Sequence, residues 1–138
     1  MKRRSSLVAL APAALMLGTV SAAPATADTM VSVAPRANLV ARGVAADIRL
    51  TYTCSPGADL HPGAYGMLTQ AVRNQQVTSA WGGVGLVCDR KTHNALLRVT
   101  VEDWNPVLKP GPAVVEIQVH GTGEPDVVMS QEVRLVRR

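Results

Sequence analysis

The residues best equipped for chemistry lie in one stretch, Cys88-Asp89-Arg90-Lys91-Thr92-His93. A cysteine with an imidazole five residues on could form a thiolate and its base. Cys88, Asp89 and His93 could also offer sulfur, oxygen and nitrogen to a metal. A catalytic thiolate needs an exposed, electropositive setting with a base in reach, and a metal needs three or four converging ligands. The spacing here matches no metal motif. The only other cysteine, Cys54, ends the stretch IRLTYTC, residues 48–54.

The elements around the two cysteines argue for a staple. Val44, Ala46, Ile48, Leu50, Tyr52 and Cys54 alternate with Asp47, Arg49, Thr51 and Thr53, the period-two pattern of a half-buried antiparallel strand. Cys54 therefore faces inward, and Leu86 and Cys88 share an inward face in the same way. The N-terminus points to an oxidising destination. Lys2, Arg3 and Arg4 precede an uncharged apolar run over residues 7–20, and Ala25-Thr26-Ala27 fits a signal-peptidase site. We read residues 1–27 as a secretory signal peptide, with Ala22 and Ala23 as alternative cleavage points, and residues 28–138 as one domain. The apolar run, interrupted by Pro12, is short of the roughly 20 residues that a membrane span needs. Two inward cysteines in an exported chain predict a disulfide. Closing a loop of about 35 residues stabilises by roughly 4 kcal/mol.

Removing Lys2, Arg3 and Arg4 with the leader takes the net charge from +4 to +1. Nucleic acid and anionic membrane lose most of their support as partners. Arg134, Arg137 and Arg138 remain and read as a small solvated tail. An extracellular protein or surface ligand is the expected partner.

The remaining segments repeat the alternation. Leu97, Val99 and Val101 form one inward set, as do Val115, Ile117 and Val119, and Val133 and Leu135. Further strands are expected at 29–34, 66–72, 76–81 and 84–88, with turns at Ala41-Arg42-Gly43, Ser55-Pro56-Gly57, Gly82-Gly83, Lys109 to Pro112 and Gly121 to Pro125. Residues 64–76 also carry helical spacing, but Gly66, Thr69 and Val72 favour a strand. With no Phe, Val, Leu, Ile and Ala must fill the core, and Trp81 and Trp104 are expected to anchor it. Seven or eight short strands predict an all-β immunoglobulin-like antiparallel sandwich with one disulfide. A small Greek-key barrel is the alternative. No G-x-S-x-G, H-E-x-x-H or phosphate-binding glycine loop is present. No catalysis, metal or cofactor is expected.

Two resemblances bear on this reading. LTYTC followed by GGVGLVCDRKTH resembles a family of small secreted actinobacterial proteins of unknown function. The shared pattern comprises Tyr52 and Cys54, then Cys88, Asp89 and His93, then Gly111, Ala113 and Val115, over most of residues 30–137. That resemblance implies an immunoglobulin-like sandwich with a Cys54–Cys88 bridge and implies no activity. The chain departs from it in an added segment near Trp104 to Leu108. Thr53, Cys54, Pro56, Gly57, His61 and Pro62 are also similar to a motif of actinobacterial secreted subtilisin inhibitors. This second resemblance implies a protease-contact loop at Asp89, Arg90, Lys91 and Thr92, whose basic residues suit a trypsin-like pocket. That family uses two disulfides, so the two cysteines here cannot reproduce its framework.

Overall fold

The computed structural model describes residues 29–138; the leader expected at 1–27 lies outside the described residues. Eight strands follow one another: β1 (Met30–Val33), β2 (Arg36–Val40), β3 (Ala45–Thr53), β4 (Gly63–Ala71), β5 (Val77–Gly85), β6 (Thr92–Val101), β7 (Gly111–His120) and β8 (Val127–Val136). Among the described residues no helix is long and apolar enough to cross a membrane. The helical spacing around Met67 is realised as β4.

Alternation decides which side chains are buried. Ala46, Ile48 and Leu50 of β3 meet Leu97 and Val99 of β6, Val115 and Ile117 of β7, and Val133 and Leu135 of β8 in one aliphatic core. Tyr52 is its single aromatic. Both tryptophans depart from the expectation. Trp104 sits in the β6–β7 loop and is 79% exposed. On β5 the inward positions belong to Thr78 and Ala80, so Trp81 faces out and packs on Tyr65 with ring centroids 5.9 Å apart. The β6–β7 loop contributes Leu108 to the core instead, and its N–H donates to Gly43 O at 2.8 Å.

The strands close into a seven-membered ring, β3-β2-β8-β7-β4-β5-β6 and back to β3, rather than forming two separate sheets. β1 is the eighth strand and shares one edge of β3 with β2. Two features bend the expected sandwich into a barrel. Pro35 has no N–H to donate and breaks the first strand. Past it, β2 turns onto β8 in the one parallel pairing, with Arg36 opposite Arg134. At the other seam, β5, paired with β4 along its whole length, also touches β6 at Ala80–Trp81. Gly82 permits that approach, because a Cβ there would lie 1.9 Å from the carbonyl oxygen of Arg98. Gly82-Gly83 is thus strand and not turn, and the separate strand expected at 84–88 is absent. β5 runs on through Gly85, and Leu86 to Cys88 form the connection to β6.

Candidate functional site

The cysteines are joined. Cys54 follows β3, Cys88 precedes β6, and their Cα atoms lie 4.7 Å apart across the disulfide. Two hydrogen bonds flank the bridge: Val87 N–H donates to the Tyr52 hydroxyl and Arg90 N–H donates to Cys54 O, each at 2.9 Å. His93 and Asp89 do come together, with Nε2 to Oδ1 at 2.7 Å, and the imidazole rests against Tyr52 with ring centroids 5.8 Å apart. Hydrogen bonds from His93 and from the Lys91 backbone hold the Asp89 carboxyl below the usual range. The sulfur beside the pair is bound in the disulfide and is not a free thiolate.

The Asp89–Thr92 stretch is a closed turn. Asp89 Oδ1 accepts from Lys91 N–H at 3.0 Å, and Arg90 has φ 65 in the left-handed region. Thr92 already belongs to β6, where its hydroxyl meets that of Thr53 at 3.1 Å.

The same end of the barrel is tied by Glu124. Its carboxylate accepts from the Ser55 hydroxyl, from Ser55 N–H at 3.3 Å and from the Thr29 hydroxyl at 3.1 Å. These bonds, led by the Ser55 hydroxyl, hold the Glu124 pKa below its ordinary value of 4.5. A carboxylate whose folded pKa is depressed stabilises above its unfolded pKa, and that stabilisation is lost as pH falls through the folded pKa. Barrel stability therefore declines on acidification below about pH 4.5, and Glu124→Gln flattens the decline. Thermal melts between pH 3 and 7 check this; parallel parent and variant curves would exclude Glu124 as a source.

The opposite signal lies on the outer wall. Outward positions of β2, β3, β6 and β8 carry Arg36, Arg49, Arg98 and Arg134. Arg98 faces Asp47 across the β3–β6 register and grips it with two bonds, Nε to Oδ1 at 2.7 Å and Nη2 to Oδ2 at 2.8 Å. That grip holds the Asp47 carboxyl below its ordinary range and leaves the residue only 6% exposed. Among the described residues, Arg98 is the one arginine of the four with an ion pair. Arg36 and Arg49 line a crevice of about 410 Å³ with Asn38, Asp47, Leu96 and Val136.

Arg36 and Arg134 stand directly opposite each other. Like charges in that position destabilise a sheet by roughly 0.2–1 kcal/mol. Arg134→Gln is therefore expected to raise the unfolding free energy by about 0.5 kcal/mol. A loss of stability in denaturant titration would instead give Arg134 a structural role.

The sequence reading placed Asp47 and Arg49 on an outward strand face and Arg134 in a solvated tail, without joining them into one surface. Arg36, Arg49 and Arg98 are scattered along the chain, and their common outward parity was the only available signal. No family model matches this chain, and no curated protein matches it either.

Proposed function

We propose that the protein is an exported, non-catalytic binding module that meets an anionic partner through the β2–β3–β6–β8 wall. One observation carries this reading. The fold gathers four arginines on one face, pairs one of them with a carboxylate, Asp47, leaves Glu132 further along β8 as the other outward acid, and tolerates a repulsive Arg36–Arg134 pair. The disulfide and the leader-like N-terminus support an oxidising, extracellular destination. Strand order supports kinship with immunoglobulin-like domains. If β1 and β2 are one broken first strand, the pairings β1–β3, β3–β6 and β6–β5 follow one sheet of that fold, and β4–β7 and β7–β8 follow the other.

The test is elution from phosphocellulose at neutral pH. Arg49→Glu with Arg134→Glu elutes at markedly lower salt than the parent. Arg90→Glu with Lys91→Glu carries the same change in net charge at the far end and elutes close to it. Equal shifts in the two variants would mean that net charge, not the wall, governs binding. Inhibition of trypsin by the parent, abolished in the Arg90 and Lys91 variant, would favour the protease-contact reading instead.

A further inference from the structure

The positive surface continues beyond β8. After Val136 the chain passes into Arg137 and Arg138. With Arg42 of the turn before β3 and Lys109 ahead of β7, they line a second crevice of about 480 Å³. Leu39, Gly43 and Leu108 complete the lining, and no acidic side chain contributes to it. Arg42 is presented from a tight turn at φ 57, a region that side-chain-bearing residues rarely occupy. Four like charges around one cavity repel one another, and nothing in the core packing requires them there.

We infer that this crevice is an anion site, the terminal subsite of a track for a linear polyanion bearing phosphate or sulfate esters. The inference rests on the reading of the arginine wall as the contact surface. The two crevices share the end of β8: Val136 lines the first and Arg137 the second. Arg138 lines the second crevice, and its charge also helps to keep Asp47 ionised in the first. From Arg134 to Arg138 the extended chain spans roughly 13 Å, room for more than one anionic group.

The ligand class follows from charge and shape. A carboxylate offers one charge on two oxygens, whereas a sulfate ester spreads its charge over three acceptor oxygens that several guanidinium groups can share. A phosphomonoester carries about −1.5 to −2 and presents three acceptor oxygens to guanidinium forks. Single-stranded nucleic acid would want aromatic platforms for its bases. The exposed aromatics are Tyr65 on β4, Trp81 on β5 and Trp104 in the β6–β7 loop, and no aromatic side chain lines either crevice. A bilayer would want apolar side chains to insert. On the wall strands the prominently exposed large apolar residues are Leu96 of β6, at 51%, and Val128, at 61% but six residues along β8 from Arg134, so they form no joint patch.

Calorimetric titrations of the full secreted protein with tripolyphosphate, dextran sulfate and polyglutamate test the inference. The first two bind, and polyglutamate binds at least tenfold more weakly. With about five contacts, affinity falls roughly a hundredfold between 50 and 200 mM salt. Arg42→Gln with Arg137→Gln weakens tripolyphosphate about tenfold, while Arg90→Gln with Lys91→Gln leaves it unchanged. Melting temperatures confirm that every variant is folded. The relative strength of the two polymers tells phosphate from sulfate as the preferred ester. If only Arg49→Gln with Arg134→Gln weakens binding, the wall reading stands and the terminal subsite is overturned. Equal loss in all three variants, or no binding at all, overturns both. Tighter binding of duplex DNA or of phosphatidylglycerol vesicles overturns the polymer assignment.

Discussion

Replacing Cys54 and Cys88 by alanine lowers the unfolding free energy by about 4 kcal/mol. The closed loop contains β4 and β5 entire, 34 residues from one sulfur-bearing residue to the other. Cutting the bond returns that loop's freedom to the unfolded chain. In the folded state the Tyr52–Val87 and Arg90–Cys54 hydrogen bonds still hold the corner, so the variant folds to the same barrel. For a domain of about this length each kcal/mol moves the midpoint by roughly 4–8 °C, which makes the expected drop about 15–30 °C. Denaturant titration of parent and variant measures it directly, and the slope rises because the unfolded chain without the cross-link exposes more surface. A loss below about 1 kcal/mol would show that the chain-entropy account does not apply to this loop.

Gly82→Ala is expected to cost about 3 kcal/mol, at the upper end for an overpacked site. The added methyl would lie 1.9 Å from the carbonyl oxygen of Arg98, a main-chain atom with no rotamer to change. It can be accommodated only by pushing β5 off β6, where the ladder is just Ala80–Val101 and Trp81–Thr100. Gly85→Ala is the control. A Cβ there meets nothing within 4 Å, so its stability stays within roughly 0.5 kcal/mol of the parent. If the two variants behave alike, β5 and β6 do not close on each other, and the ring is open at that seam. The pair of substitutions thus tests the β5–β6 contact on which ring closure depends.

Much of this architecture was legible in the residue order. Period-two alternation placed Ile48, Leu50 and Tyr52 inward with Cys54, and the same rule picked out Leu97, Val99, Val115, Ile117, Val133 and Leu135. Side-chain parity along a strand is a local property, so a linear reading recovers it. The inward parity of both cysteines, with an N-terminus that reads as a leader, was enough to predict the disulfide.

What escaped depends on which strand lies beside which. Gly82-Gly83 looks like a turn in the chain, yet it is the point where β5 must come close to β6. Pro35 looks like a strand end, yet it sends β2 across to β8 and closes the ring. Trp81 looks like a core residue by type, yet parity on β5 gives the interior to its smaller neighbours. The wall shows the limit most clearly. In sequence, Arg36, Arg49, Arg98 and Arg134 are separated by 13, 49 and 36 residues and sum to nothing in a nearly neutral domain. Their outward parity was readable one strand at a time. Strand order and register put Arg36 beside Arg134 and Asp47 beside Arg98, because pairing is made by long-range backbone hydrogen bonds that no local pattern specifies. The sequence by itself determined most of the strands with their inward faces, the aliphatic core and the staple, but not β2; only the tertiary structure decided that a weakly charged chain would carry a strongly positive face.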